Sequence, residues 1–317
     1  MNLDGLTKLS GDASFRDFYR KKTKNNSIFI YAKKQKKKNL LIYSAINNLL
    51  LKKKIKAPRL ISHNYRDNYI EIEDLGNHTI YDIFKKKNVN KIKYYFKIIF
   101  LLDKLQKIRE QKIKTFQNSN YYIPIYSNKI LFNESKLFLD WYFPKVVKKN
   151  KRKELNRKLT VIIKKLLSKL KCREKIFVHR DFHVSNLMEH NKEIYIIDSQ
   201  DALYGNISYD LASLIDDVRF RTSNKDKEII FQKFMKVNKY KNFENFKNDF
   251  EILSVVRNLK IIGIFQRLYL RDKKKKYLKL IPYAWNLIEY RIKKNKNLLE
   301  LKTILEKYFL KRLKIKK

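Results

Sequence analysis

The chain has 317 residues, of which 44% are hydrophobic, so it can fold around a substantial core and is not expected to be disordered. Its net charge is +44, but the basic residues are spread from end to end, and no zinc spacing or nucleic-acid-binding motif accompanies them. We therefore expect no specific nucleic-acid partner, only weak and salt-sensitive binding to polyanions.

The sequence contains no apolar stretch long enough to cross a bilayer, and its first residues lack the apolar core of a signal peptide. A single cysteine, Cys172, excludes an internal disulfide. From these features we expect a soluble, cytoplasmic protein without a membrane partner, and a monomer.

The first third of the chain predicts short strands and one helix. The strand candidates are bounded by turn residues and are Leu6–Ser10, Phe15–Lys21, Ser27–Ala32, Arg59–His63 and Tyr69–Glu73. Apolar residues at helical spacing predict a helix from about Leu40 to Lys54. Glu73–Gly76 has the composition of a junction, and after Ile80 the pattern is mainly helical.

The most informative stretch is His179–Asn186, with the sequence H-R-D-F-H-V-S-N. It lies between two apolar runs that predict strands, Ile176–Val178 and Ile194–Ile197, and Asp198 directly follows the second run. An Asp, an Asn five residues later, and a further Asp at the end of the next strand have the spacing of a kinase catalytic loop and its separate metal ligand.

The chemistry of phosphoryl transfer accounts for these residue types. A carboxylate is needed near the acceptor hydroxyl, and hard oxygen ligands are needed for the Mg²⁺ that neutralises the nucleotide phosphates. Asp181 is the candidate catalytic base, and Asn186 and Asp198 are the candidate metal ligands. Any one of them alone would more often cap a turn, so the hypothesis depends on the ordered set. His179 is expected to brace its loop, and the expected cofactors are ATP and Mg²⁺.

Strands followed by helices, together with this motif, predict an α+β, bilobal protein-kinase-like fold. A small strand-rich N-lobe over residues 1–75 is expected to bind the nucleotide. A mainly helical C-lobe over residues 76–317 is expected to carry the catalytic loop and to bind the substrate. The expected enzyme is a phosphotransferase with an alcohol group of a small molecule as acceptor.

Several segments resemble the aminoglycoside phosphotransferase-like kinase superfamily, and within it the anomeric N-acetylmuramate/N-acetylglucosamine kinases of bacterial cell-wall sugar recycling. The segments that carry the resemblance, in order, are Gly11–Arg16 (G-D-A-S-F-R), Glu73–Gly76 (E-D-L-G), His179–Met188, Ile197–Ala202, Tyr209–Ala212 and Arg257–Phe265 (R-N-x-K-x-x-G-x-F). The resemblance implies an ATP- and Mg²⁺-dependent kinase that phosphorylates the anomeric hydroxyl of an amino sugar.

The resemblance also implies nucleotide-binding positions. A turn would place its main-chain N–H groups against the phosphates, and it consists of Gly11, Asp12, Ala13 and Ser14. Read without the resemblance, the same turn could be an ordinary hairpin connection. Glu73 and Leu75 would offer main-chain groups to the adenine, and Asp210 would brace the catalytic loop from the following helix.

On the acceptor side, the resemblance covers an E-x-x-x-F-x-D-W segment that begins at Glu134. Asp140 and Trp141 would contact the substrate, since a carboxylate beside an aromatic face suits a sugar. The alternative is a helix that buries Phe138 and Trp141 in the core and leaves Asp140 in solvent. Arg257 is a further candidate, as a partner for an anion.

The chain departs from the usual kinase pattern at its third strand. Many kinases pair a Lys on this strand with a Glu on the following helix. Here Tyr31 stands where the Lys is expected, and no acidic residue occurs between Asp17 and Asp67. Lys33 and Lys34 are the remaining candidates for a phosphate contact.

Two alternatives stay open. One is a kinase of the same fold for another small alcohol, such as choline, homoserine or an aminoglycoside, although polycationic aminoglycosides would need an acidic cleft and this chain has few acidic residues outside the motifs. The other is a non-enzymatic, lysine-rich polyanion-binding protein, against which the intact catalytic set argues. Ser199 replaces the phenylalanine that usually follows the metal ligand, so the packing behind the metal should differ.

Overall fold

A computed structural model describes residues 5–9, 16–23 and 26–313, with side chains described as far as residue 309. The chain groups into two compact units. The first contains the described residues up to Pro124 together with Ile176–Tyr204, and the second contains Ile125–Lys175 and the described residues from Gly205 onward. These units are defined by contacts within the chain. The predicted lobes, residues 1–75 for nucleotide binding and 76–317 for substrate binding, are defined by function and stay a prediction.

An antiparallel sheet with strand order β1-β2-β3-β5-β4 lies in the first unit. Its strands are β1 (Leu6–Leu9), β2 (Arg16–Lys21), β3 (Ser27–Ala32), β4 (Leu60–Asn64) and β5 (Tyr69–Glu73). All five were predicted, to within one residue in the described part of the chain. Alternate residues of the central strands, Ile28 and Ile30 on β3 and Ile70 and Ile72 on β5, are buried on one face, as the period of two requires.

Helix α1 (Lys38–Lys52) packs on this sheet and begins and ends two residues before its predicted bounds. Leu40 and Tyr43 join the core cluster formed by the central strands. The buried residues of α1 are apolar except for Ser44 and Asn47. The helix therefore packs without the Glu that a kinase helix at this position usually carries.

Among the described residues, the rest of the first unit contains two helices and five short strands, two of which were predicted, as Ile176–Val178 and Ile194–Ile197. These elements are α2 (Ile80–Lys85), α3 (Lys91–Gln106), β6 (Lys112–Lys114), β7 (Asn120–Tyr122), β8 (Lys175–Val178), β9 (Leu187–His190) and β10 (Glu193–Ile196). Strands β6, β7 and β9 were not predicted. Strands β9 and β10 form a hairpin in which Leu187 pairs with Ile196. Its two turn residues, Asn191 and Lys192, have φ of 51° and 63°, the backbone of a type I′ turn.

The second unit is mainly helical, as predicted. Its helices are α4 (Asn128–Leu137), α5 (Phe143–Val146), α6 (Arg152–Ser168), α7 (Tyr209–Ile215), α8 (Asn224–Asn238), α9 (Phe243–Asp272), α10 (Ile281–Ile292) and α11 (Leu299–Leu313). Strand β11 (Leu203–Asn206) contributes its last two residues to this unit. A π-helical segment, Phe138–Tyr142, joins α4 to α5. Within the described residues, no helix combines the length and the apolar character that crossing a membrane requires.

A buried ion network joins four helices of the second unit. Asp216, directly after α7, accepts from Lys227 of α8 at 2.9 Å, from Arg291 of α10 at 2.7 Å and from Ser254 of α9 at 2.5 Å. Burial opposes ionisation of this carboxyl, but the charges of Arg291 and Lys227 hold its pKa well below its usual range. Asp216 thus has a structural role, because its oxygens are occupied by these partners.

Candidate functional site

The predicted catalytic segment, His179–Asn186, forms a closed loop between β8 and β9. Asn186 Nδ2 donates to the main-chain oxygen of Asp181 at 2.9 Å, and His183 N–H donates to the same oxygen at 3.1 Å. In return, the main-chain N–H of Asn186 donates to His183 O at 2.8 Å. These bonds bring Asn186 against the main chain of Asp181 and close the loop through the carbonyl oxygen of Asp181.

Ile197, directly before Asp198, connects this loop to the segment that carries Asp198, which we call the metal-side segment (Ile197–Ala202). Ile197 N–H donates to Asn186 O at 3.1 Å, and Ile197 O accepts from His179 Nε2 at 3.0 Å. His179 is 1% exposed, so its hydrogen bond is shielded from water. The structure therefore brings together the segments of the predicted base and of both predicted metal ligands, and it places His179 where it braces them, as expected.

Two residues of the site have left-handed backbone. Arg180, directly before the predicted base, has φ of 79°, and Asp198 itself has φ of 64°. Asp tolerates this region better than most residues, whereas Arg does not. Such strain persists only where the surrounding contacts impose it, and it concentrates at functional sites.

The predicted metal ligands suit Mg²⁺ bound together with nucleotide phosphates. Among the residues that the structure describes, no three Asp, Glu, His or Cys side chains form a metal-binding cluster. Mg²⁺ at a kinase site needs fewer protein ligands, because phosphates and waters complete its shell. Since Asn186 Nδ2 is engaged, its Oδ1 is the amide atom available to a cation, and the Asp198 side chain is 40% exposed. The donor set fits, and the ligation itself stays a prediction.

Arg16, at the start of β2, reaches the same site, and its role was missed from the sequence. Its guanidinium forms an ion pair with the Asp198 carboxylate and donates to Gln200 Oε1 at 3.0 Å. The side chain is 4% exposed, and the rings of Phe18 and Tyr43 each lie 5.4 Å from the guanidinium carbon. Both Arg16 and Gln200 belong to segments that carry the family resemblance, and this could have pointed to them as residues of the site.

Ser199, in place of the usual phenylalanine, forms a hydrogen bond instead of packing. It is fully buried, and its Oγ donates to Asn47 Oδ1 at 2.6 Å. Asn47 Nδ2 in turn donates to Pro58 O at 3.1 Å. Asn47 belongs to α1, so a neutral hydrogen bond joins this helix to the metal-side segment. A hydrogen bond thus takes the place of aromatic packing behind Asp198, the predicted metal ligand.

The predicted hinge is held from β2. The Glu73 N–H donates to Arg59 O at 2.9 Å within the sheet, so its carbonyl is the group that could face an adenine. Leu75 is buried, and its main chain forms no hydrogen bond within the described part of the chain. Asp74 lies between these two residues, and its carboxylate is 2.7 Å from Arg20 Nε of β2. This ion pair holds the hinge segment against β2. The adenine contacts stay a prediction.

Two further positions implied by the resemblance stay predictions. The turn formed by Gly11, Asp12, Ala13 and Ser14 lies outside the described residues, although the flanking strands pair with Leu9 opposite Phe18. Asp210 is fully buried in the first turn of α7. Its predicted role in bracing the catalytic loop is untested.

The predicted substrate contacts lie in the π-helical segment. Asp140 is exposed and pairs with Lys136 at 3.0 Å, whereas Trp141 is half-buried. Phe138 is fully buried among aromatic rings, so its role is in the core. Interruptions of this kind in a helix often occur at functional sites. Substrate contact by Asp140 and Trp141 stays a prediction.

A buried polar cluster lies beside this segment in the second unit. Glu134 pairs with Lys260 at 2.9 Å and accepts from Tyr126, whose hydroxyl also lies 2.9 Å from that of Tyr209. Arg257, one helical turn before Lys260, is 3% exposed, and its Nη1 has no hydrogen-bond partner among the described residues. A buried N–H donor of a charged group is costly to leave without an acceptor, so Arg257 is a candidate for binding an anion through Nη1.

Gly263 explains part of the R-N-x-K-x-x-G-x-F segment by packing. A Cβ at this position of α9 would lie 2.3 Å from Leu137 C and 2.4 Å from Phe138 N, which are main-chain atoms that cannot turn aside. We expect Gly263→Ala to lower the free energy of unfolding by about 1–3 kcal/mol or more. In an unobstructed helix the same change would stabilise by about 0.5–1 kcal/mol. We therefore expect the melting temperature of Gly263→Ala to fall. A rise would contradict the close approach of α9 to the main chain of Leu137 and Phe138.

Comparison with known proteins places these observations in a family. Residues 5–233 match the phosphotransferase enzyme family. The chain is 25% identical over 306 residues to the N-acetylmuramate/N-acetylglucosamine kinase of Pseudomonas aeruginosa, a match that covers 95% of this chain and 87% of that protein. It is 28% identical over 302 residues to the protein of the same name from Neisseria meningitidis, covering 89% of this chain and 84% of the relative.

Solved structures confirm the predicted fold class. A choline/ethanolamine kinase family protein from Mesorhizobium loti aligns with a TM-score of 0.63 at 10% identity, covering 94% of this chain and 92% of that one. An ADP-bound aminoglycoside phosphotransferase aligns with a TM-score of 0.59 at 15% identity, covering 90% and 92%. Such low identities establish the fold alone. Together with the family match over most of its length, they show that this chain belongs to the phosphotransferase enzyme family, whose members act on a hydroxyl acceptor.

Proposed function

We propose that this protein is an ATP- and Mg²⁺-dependent kinase that phosphorylates the anomeric hydroxyl of N-acetylmuramate and N-acetylglucosamine, in cell-wall sugar recycling. The observation that carries the proposal is that the geometry of the site agrees with the activity named for the relatives. The segments bearing Asp181, Asn186 and Asp198 are hydrogen-bonded together, in a chain that matches kinases named for these two sugars over 89–95% of its length.

In the proposed reaction, Asp181 orients the anomeric hydroxyl and takes its proton as the new oxygen–phosphorus bond forms. The bond between the γ-phosphorus of ATP and the bridging oxygen breaks, and ADP leaves. An anomeric hydroxyl is more acidic than an ordinary alcohol, so a carboxylate without special tuning is a sufficient base. Asn186 and Asp198 would hold Mg²⁺, which supplies positive charge at the phosphate oxygens when it is bound. The hydrogen bonds through Ile197 keep these groups in register, which is the positioning that phosphoryl transfer needs.

Arg257 supports an acidic sugar as one of the acceptors. N-acetylmuramate carries a carboxylate that N-acetylglucosamine lacks, and the buried Nη1 of Arg257 has no hydrogen-bond partner among the described residues. Arg257→Met should therefore weaken the use of N-acetylmuramate, with N-acetylglucosamine as the internal control. Equal losses of activity with both sugars would contradict a contact between Arg257 and the carboxylate of N-acetylmuramate.

The deciding experiment is identification of the product. Incubation of the protein with ATP, Mg²⁺ and each sugar, followed by phosphorus NMR, should show the 1-phosphate. Because its anomeric carbon is blocked, this product should resist borohydride reduction, whereas a 6-phosphate would be reduced. The Asp181→Asn protein, prepared in parallel, serves as the blank.

Other outcomes separate the alternatives. A product at the 6-hydroxyl would overturn the anomeric assignment, and ADP release only with choline, homoserine or an aminoglycoside would overturn the sugar assignment. Binding to DNA should disappear as salt rises, because nothing in the sequence resembles a reader of base edges. A sequence preference that survives physiological salt would instead favour a nucleic-acid-binding role.

A further inference from the structure

The third strand of the sheet carries no cation at the position where kinases place their phosphate-binding lysine. Tyr31 stands there, half-buried, at the end of β3. Lys33 and Lys34, the first lysines after this strand, are exposed. Within the part of the chain that the structure describes, the cation that reaches Asp198 is Arg16, which comes from the neighbouring strand.

The Arg16 guanidinium is held in a defined plane. Gln200 accepts from Arg16 Nη1 at 3.0 Å, and its own Nε2 donates to Asp198 Oδ1 at 3.2 Å. Gln200 therefore bridges both members of the ion pair. The Phe18 and Tyr43 rings give the guanidinium cation–π contacts, and burial raises the pKa of Tyr43 to about 12, so this ring stays neutral.

Stability alone does not account for this arrangement. The Arg16 side chain is 4% exposed and the Asp198 side chain 40% exposed, so the cation is desolvated while its partner still faces water. Burying a guanidinium for an ion pair of this kind commonly adds little stability, and an apolar side chain beside the Phe18 and Tyr43 rings would not carry the cost of a desolvated charge. A buried cation held at the edge of an accessible carboxylate is better explained by an anionic ligand.

We propose that Arg16 takes the part of the missing third-strand lysine: it binds the phosphates of a nucleoside di- or triphosphate and, through the same guanidinium, positions Asp198. A guanidinium presents five N–H donors in a planar fork, so it can contact a carboxylate and phosphate oxygens together. Two groups would therefore replace the Lys–Glu pair of other kinases. Arg16 would supply the cation, and the neutral Asn47–Ser199 hydrogen bond would connect α1 to the segment that carries Asp198. This inference rests on the proposed nucleotide-dependent function and specifies its phosphate contact.

The test compares ADP with adenosine, which lacks phosphates. Calorimetric titration of Arg16→Met should show about 10- to 150-fold weaker binding of ADP, the usual effect of losing charge-assisted hydrogen bonds. Adenosine should bind within roughly twofold of the wild-type affinity. The melting temperature should stay close to that of the wild type, because the exposed Asp198 remains solvated. Lys33→Met and Lys34→Met test the two other candidates for the phosphate contact, and each should leave ADP affinity unchanged.

Several outcomes would overturn the inference. These are equal ADP affinity in wild type and Arg16→Met, a parallel loss of ADP and adenosine affinity, or a loss confined to the Lys33 and Lys34 variants. If Arg16→Met fails to fold, Gln200→Leu decides: it keeps the charge but releases the guanidinium, and unchanged ADP affinity would then reject the proposal. A wild-type protein that binds no ADP would instead reject the nucleotide-dependent function itself.

Discussion

Asp181→Asn is expected to lower turnover of the amino sugar by about two to four orders of magnitude, because an amide cannot accept the acceptor's proton. The fold and the affinity for nucleotide should persist. The loop is closed through the main-chain oxygen of Asp181, which accepts from Asn186 and His183, and an Asn keeps that oxygen. Steady-state rates with each sugar, together with calorimetric titration of ADP, measure both parts of the expectation.

Glu193→Gln is the matched control for this variant. Glu193 is an exposed carboxylate at the start of β10, in the same unit of the chain, and its neutralisation should leave turnover unchanged. Near-normal turnover in Asp181→Asn would exclude this carboxylate as the base. An equal loss in both variants would indicate a general effect of charge.

Asp198→Asn is expected to reduce Mg²⁺-dependent transfer to background, because it leaves the neutral Asn186 as the other assigned metal ligand. Asn is the appropriate replacement here. It tolerates the left-handed backbone of this position, where φ is 64°, and its oxygen can still accept from Arg16. The loss should therefore report on the metal ligand and not on unfolding.

Two measurements check this second expectation. Turnover is followed as Mg²⁺ is raised, and excess Mg²⁺ should not restore the wild-type rate. Thermal unfolding with ADP supplies a readout that is independent of turnover: Mg²⁺ should increase the stabilisation by ADP in the wild type and not in the variant. Wild-type rates at high Mg²⁺, or an undiminished Mg²⁺ effect on melting, would remove Asp198 from the metal site.

The parts of this molecule that could be predicted are those encoded over short distances along the chain. Alternating apolar residues such as Ile28 and Ile30 specified the strands, and the spacing of Asp181, Asn186 and Asp198 specified a kinase-like loop. Of the hairpin after that loop, the second strand was predicted and the first was missed, because the turn uses Asn191 and Lys192 without the glycine that normally signals this geometry.

Features that depend on distant contacts could not be read in this way. Arg16 and Asp198 are 182 positions apart, so no local pattern links them. The π-helical segment forms where Gly263 of α9 lies against the main chain of Leu137 and Phe138, and helical periodicity alone does not reveal such a crossing. The E-x-x-x-F-x-D-W pattern therefore located the segment but not its helical type.

The anchoring of Asp198 bears on the choice of inhibitors. In kinases with phenylalanine after the metal ligand, repacking of that ring separates active from inactive forms. Here a comparable rotation would break the Ser199–Asn47 bond and both main-chain bonds of Ile197. At about 1 kcal/mol for each bond, the rotated form would account for roughly 1% of molecules or less. A compound that requires this form would lose about a hundredfold in affinity, so compounds that accept the resting arrangement are the better starting point.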